Sequence, residues 1–180
     1  MAFFDVPADD QIPPESARLL EEYRKLGGFA EAPRSHRTYG RLTRIVETRL
    51  RAAANLSDQC SFPKQTKYVA AMLIAHARRC SGCFLGARGR LVQLGFDEPA
   101  LDAMCAHPED LPLDPRGRRF VHWTLKIATT LAADLTPKDF KEMADDGFTR
   151  EEVQEMIGFA VFWVTNTIFN SAALVALTDD

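Results

Sequence analysis

The sequence predicts an all-α protein, a multi-helix bundle in which a cysteine pair opens one of the helices. Three observations carry this. Apolar residues recur at three- and four-residue spacing along most of the chain, the period of an amphipathic helix. Helix-stop glycines alternate with helix-start residues, as at Leu94-Gly95-Phe96-Asp97 and Asp146-Gly147-Phe148-Thr149. The most apolar stretch, residues 65–77, is long and rich in alanine, which favours a buried helix over a strand.

Taken in order, residues 1–14 hold Pro7, Pro13 and Pro14 and read as an extended arm. Residues 16–26 carry Leu19, Leu20 and Tyr23 and stop at Gly27-Gly28, a short helix with a glycine terminator. Leu42, Ile45, Val46 and Leu50 predict one longer amphipathic helix over 36–54. Residues 60–63 are a break, and 65–77 form the buried helix. The cysteine pair then opens a helix that runs through Leu91 and Leu94 and stops at Gly95.

Asp97 caps the next helix, and three prolines (Pro108, Pro112, Pro115) make 102–115 an irregular linker. Arg116-Gly117-Arg118-Arg119 reads as a solvated turn leading into a helix over 120–133. Thr136-Pro137-Lys138-Asp139 and Thr149-x-x-Glu152 are helix starts of the capping-box type. A long final helix over 151–177 carries the apolar stripe Val153, Met156, Ile157, Ala160, Val161, Val164 and Ile168. The two Gly-Phe corners are either a repeated helical hairpin or the ordinary grammar of helix–turn–helix corners.

A length of 180 residues predicts one folded unit, with residues 1–64 as an arm and helices packing on a helical core of residues 65–180. A hydrophobic fraction of 46% and a charged fraction of 26% suffice for a real core. The net charge of −3 argues against nucleic acid as a partner, because phosphate binding needs a clustered positive surplus. Residues 153–177 are apolar enough to imitate a membrane span. They also hold Glu155, Asn166 and Asn170, which predicts a buried or interface helix and no membrane. The start of the chain lacks a basic stretch followed by an apolar one, so the expectation is a cytoplasmic protein whose thiols rest reduced.

Cys80-Ser81-Gly82-Cys83 is the feature with chemistry in it. Two thiols at this spacing can close a disulfide or offer two thiolates to a metal. Only the thiolate attacks, and a free cysteine with pKa ~8.5 is mostly protonated at neutral pH. The first turn of a helix favours an anion, and Arg78, Arg79, Arg88 and Arg90 lie close in sequence. A sulfenic acid formed on one cysteine can be captured by its neighbour as a disulfide. Two other readings stand beside this one: a pair of small buried hydrophobes, or half a zinc site completed from Cys60, Cys105, His76, His107 or His122. His76, four residues before Cys80, is a candidate proton partner if its helix continues, or else a helix histidine bonded to backbone or water. His122 is a weaker candidate to line the same pocket, and Tyr68 reads as a core phenol.

The ordered set of these features resembles the alkylhydroperoxidase D-like, or carboxymuconolactone decarboxylase-like, superfamily. The resemblance covers residues 65–177. It rests on the apolar helix into Cys80-x-x-Cys83, the Leu94-Gly95-Phe96 corner, Leu135-Thr136-Pro137-Lys138-Asp139, Gly147-Phe148-Thr149-Arg150-Glu151-Glu152, and a last helix with Asn166. It implies an AhpD-like helical bundle and a homo-oligomer, trimer or hexamer. It also implies that Cys83 meets the peroxide while Cys80 resolves. Catalytic members place a relay glutamate twelve residues before the first cysteine and a histidine four after the second. Those positions here hold Tyr68 and Ala87. Tyrosine carries a proton only at high pKa and alanine not at all.

The expected function is therefore that of a thiol antioxidant protein. It would reduce a hydroperoxide through a Cys80–Cys83 disulfide, with Cys83, Cys80 and His76 as catalytic residues. A dithiol reductant would restore the pair, and no metal or organic cofactor is implied. Two alternatives follow from the same residues. One is a carboxymuconolactone decarboxylase-like enzyme acting on a small cyclic acid, with arginines holding the carboxylate. The other is a non-enzymatic helical oligomer in which the CxxC is a redox switch.

Overall fold

A computed structural model describes residues 4–176. Among these the regular structure is helical throughout, with no strand. The described residues up to Gln59, together with those from Ile168 onward, form one compact unit, and Cys60–Thr167 form another.

In the first unit, residues 4–13 are largely extended, with a single 3-10 turn at Asp9–Gln11. Residues 1–3 of the expected arm lie outside the described residues. Helix α1 (Pro14–Gly27) begins on a proline, whose fixed φ suits the first helical position. It ends at Gly28 in the left-handed conformation, as the Gly27-Gly28 stop predicted. The single helix expected over 36–54 is broken. A short α2 (Arg34–Arg37) is followed by a turn, then α3 (Thr43–Ala52), which continues as a π-helical segment, Ala53–Asp58. Gly40 is the reason for the break: its N–H bonds Arg37 O at 2.8 Å and Ile12 packs where a Cβ would lie, 3.2 Å away. Ile12, Leu19, Leu20, Val46 and Leu50 make the core of this unit, between α1 and α3.

The second unit is organised around α4 (Lys64–Ala77), whose residues from Val69 to Ala75 are all buried. That is the condition of a helix apolar on every face. It packs against α5 (Ser81–Gln93) and α7 (Pro115–Thr130). Phe62, Phe120 and Phe159 close the core beside it, with ring centroids 4.1 Å (Phe62–Phe120) and 5.5 Å (Phe120–Phe159) apart. Each such buried ring contributes about 1.5–3 kcal/mol relative to exposure.

Two boundaries differ from expectation. Helix α6 (Glu98–Ala106) occupies the first part of the expected linker, because Asp97 accepts from Ala100 N–H and Leu101 and Met104 bury an apolar edge. Helix α7 starts at Pro115, capped by Asp114, and so takes in the arginine cluster read as a turn. Each of those arginines has a partner: Arg116 with Glu152, Arg118 with Leu113 O, Arg119 with Asp146. After α8 (Pro137–Asp145), Thr149 and Glu152 form the expected capping box and start α9 (Arg150–Ala176). Leu177, the expected last residue of that helix, lies outside the described residues. The stripe on α9 is also turned from the one read in the sequence: Met156, Phe159, Ala160 and Phe162 are buried, whereas Val161 and Ile168 are exposed. By length and composition α9 is long and apolar enough to cross a membrane, and its Met156, Phe159, Ala160 and Phe162 are buried inside the chain.

Candidate functional site

The cysteine pair sits where α4 reverses into α5. Arg79 adopts the left-handed conformation (φ 55°), and Cys80 N–H bonds back to Ala75 O at 3.0 Å. This is a glycine-type helix ending made by an arginine. The chain re-enters a helix at once, with Cys80 as N-cap and Cys83 as the third helical residue. Both sulfurs therefore lie in the first turn of α5, at the positive end of its dipole, where a thiolate is favoured.

Both cysteines are buried, Cys80 at 1% exposure and Cys83 at 5%. They cluster with Ala75, and Phe84 and Trp163 pack against them. From α9, Asn166 directs its side-chain Nδ2 at Cys83 Sγ (3.9 Å), and the same sulfur lies 4.0 Å from Asn166 O. Arg78 ties the end of α4 to α9 one residue further on, donating from Nε to Thr167 Oγ1 at 2.8 Å. Ala75, Phe84 and Trp163 make the surroundings apolar, and Asn166 brings a donor to the sulfur from α9.

The other residues singled out in the sequence fall as follows. His76 is not stacked under Cys80, because α4 ends at Ala77 and Arg79 turns the chain. It is exposed, its ring lies 5.6 Å from that of Phe84, and it has no hydrogen bond to either sulfur. Arg88 is half-buried above the Phe84 ring but spends its charge on Glu98 and on Asp102 at 2.7 Å. Ala87, in the place of the relay histidine, is a buried core residue, and Tyr68 packs against the same core. His122 lies on the surface with one side against Trp123, and this partial covering of the ring, then Arg119 and Lys126, lower its pKa.

Cys60 is buried within reach of Glu155, and burial raises its pKa. Cys105 is likewise raised by burial. Among the described residues no group of three or more His, Cys, Asp or Glu side chains is placed to hold a metal ion. The reasoning from sequence missed Trp163. Its one signal was its place three residues before Asn166 on the same helix.

The sequence matches no family model and no curated protein. The backbone is similar to that of solved structures. One is an uncharacterized peroxidase-related protein from Silicibacter sp. TM1040, with TM-score 0.78 and 17% identity, covering 99% of this chain and 92% of that one. A second is the alkylhydroperoxidase AhpD core of an uncharacterized peroxidase-related protein from Ralstonia eutropha JMP134, with TM-score 0.78, 15% identity and the same coverage. A third is the debrominase Bmp8 in its apo form, with TM-score 0.71 and 16% identity over 96% of this chain and 90% of that one. At these identities the likeness speaks for the fold, and over nearly its whole length this chain has the AhpD-like helical fold that the CxxC, the Gly-Phe corners and the Asn-bearing last helix resemble.

Proposed function

We propose that the protein is a thiol peroxidase in which Cys83 reduces a hydroperoxide and Cys80 resolves the product. The observation that carries this reading is the pair itself: two cysteines in the first turn of α5, one of them facing the Asn166 amide. The Cys83 sulfur, as thiolate, forms a bond to the terminal peroxide oxygen as the O–O bond breaks. Sulfur loses two electrons, and the departing alkoxide takes a proton to leave as the alcohol. Cys80 sulfur then attacks the Cys83 sulfenic acid, the S–S bond forms, and the hydroxide leaves as water with the second thiol proton. A dithiol reductant of the cytoplasm returns both thiols.

Cys83 is assigned the first step because Asn166 offers its sulfur a donor, and because Cys80 is the more deeply buried of the two. The apolar walls of Phe84 and Trp163 suit an organic hydroperoxide. With Tyr68 and Ala87 in the relay positions and His76 turned outward, proton transfer falls to water or to the thiols, and turnover is slow by comparison with a protein that has a relay. The exposed Val161 and Ile168 of α9 suit a seam between copies in a homo-oligomer, which light scattering tests.

Peptide mapping of the reduced protein after a stoichiometric pulse of cumene hydroperoxide tests the reaction. A Cys80–Cys83 disulfide formed within seconds, and lost in Cys83→Ser, is expected. Two free thiols after the pulse would overturn the reading and leave the CxxC without a peroxidase role.

A further inference from the structure

The Trp163 indole N–H is buried and has no hydrogen-bond partner. The other tryptophan of the chain has one: Trp123 Nε1 donates to Asp146 at 3.0 Å. Native proteins rarely leave a buried donor orphaned, and an orphan beside reactive groups points to a ligand or intermediate that supplies the acceptor. Trp163 packs against the cluster of Ala75, Cys80 and Cys83. It stands one turn from Asn166 on α9, so the two side chains share a face of that helix, and Asn166 already reaches Cys83 Sγ. Neither thiol in its resting state satisfies the indole. Oxidation changes this, because it adds an oxygen, a far better acceptor than sulfur, within the cluster against which Trp163 packs.

We propose that Trp163 is a catalytic residue whose N–H donates its hydrogen bond to the oxygen transferred to Cys83, first as the peroxide oxygen and then as the sulfenate oxygen. This rests on the peroxidase reading above. On it, α9 supplies two N–H groups to one reaction: Asn166 to the sulfur and Trp163 to the oxygen. The donor is unused in the resting protein, meets the peroxide oxygen on binding, and speeds the chemical step to the extent that its bond strengthens as the S–O bond forms. The apolar packing of the indole on Phe159 and Phe162 holds it in place without a competing acceptor.

The test uses nitrogen-15-labelled protein carrying Cys80→Ser, so that the Cys83 sulfenate persists. The chain has two tryptophans and therefore two indole N–H signals. One equivalent of cumene hydroperoxide is expected to move the Trp163 signal downfield and to leave that of Trp123 in place. In parallel, Trp163→Phe keeps an aromatic ring and removes the donor. It is expected to slow sulfenate formation at least about tenfold, while alkylation of Cys83 by iodoacetamide, which delivers no oxygen, keeps its rate. Cys83 oxidised with an unmoved Trp163 signal overturns this inference and leaves the peroxidase reading standing. Cys83 left unoxidised overturns both.

Discussion

Asn166 meets Cys83 with two different groups: its side-chain Nδ2 at 3.9 Å from the sulfur and its backbone carbonyl oxygen at 4.0 Å. The carbonyl accepts from the neutral thiol, and the amide donates to the thiolate. One residue thus serves both protonation states, and the balance between them depends on the amide. Replacing Asn166 by Leu removes the donor that favours the charged form, and replacing it by Asp sets a carboxylate beside the sulfur. A like charge at this range raises a thiol pKa by about one unit or more. The expected outcome is a slowing of Cys83 alkylation at pH 7 in the order wild type, Asn166→Leu, Asn166→Asp, about tenfold for the last, with the rates converging above pH 10. Rates of iodoacetamide labelling across pH read this directly, and equal rates for all three proteins would show that Asn166 leaves the thiol alone.

Trp123 and Asp146 give a second test, on stability. Trp123 is 1% exposed, and its indole N–H is satisfied by the Asp146 carboxylate, which also takes Arg119. Asp146→Ala leaves a buried donor orphaned, at a cost of about 1–3 kcal/mol. In a Trp123→Phe background the same change has no indole to orphan, so the double variant should lose less than the sum of the two single ones. A coupling of about 1 kcal/mol is expected from urea unfolding of the four proteins. Strict additivity would mean that the Arg119 ion pair, and not the indole, is what Asp146 serves.

The parts of this molecule that could be read from its sequence are those fixed by local chemistry. Gly95 and Gly147 close their helices at φ 96° and 84°, and in each corner the following phenylalanine N–H reaches back five residues, to Leu91 O and Met143 O. Thr149 and Glu152 cap each other as their spacing requires. What could not be read depended on distant residues. The break in the 36–54 helix comes from Ile12 packing at Gly40, and the stripe of α9 is turned by Phe120 and the rest of the core. At the site, both thiols and their helix-start position were legible because CxxC spacing is local. The outward turn of His76 was not, because it follows from a left-handed arginine, a conformation for which no residue type but glycine signals in advance. Trp163 was hidden for a related reason: whether its N–H finds a partner is decided by which helix lies across from it.

Gly95 and Gly147 also make an energetic prediction. Nothing lies within 4 Å of where a Cβ would sit at Gly95, and only the Arg116 guanidinium, at 3.8 Å, does so at Gly147. Substitution by alanine is therefore free of clashes, and its cost isolates the backbone. A left-handed conformation costs a residue with a Cβ about 1–2 kcal/mol. Gly95→Ala and Gly147→Ala should each lose about 1 kcal/mol in urea unfolding, with unchanged helical circular dichroism. Gly86→Ala, inside α5 with open space around it and no positive φ, should instead gain up to about 1 kcal/mol. A loss at Gly86 equal to that at the corners would mean that the corner glycines are not kept for their φ.

His36 sets the acid limit of the first unit. It is buried, its ring stacks on Tyr23 at a centroid distance of 4.0 Å, and its Nε2 has no partner. Burial, and after it the Arg49 charge, hold its pKa well below the ordinary 6.5. The folded chain therefore keeps this ring neutral where the unfolded chain takes up a proton. As pH falls through about 6.5 the unfolded state gains a proton that the folded state refuses, and stability drops by up to about 1.4 kcal/mol per pH unit until the folded pKa is reached. Carboxylates do not yet titrate between pH 7.5 and 5.5, so the window belongs to histidine. Urea unfolding of the wild type should show a loss of about 1 kcal/mol across that window. His36→Phe, which keeps the stack on Tyr23 and cannot be protonated, should remove most of it. If His36→Phe were as acid-sensitive as the wild type, the proton would have to go elsewhere, and the exposed His122, whose pKa is also lowered, would be the next residue to replace.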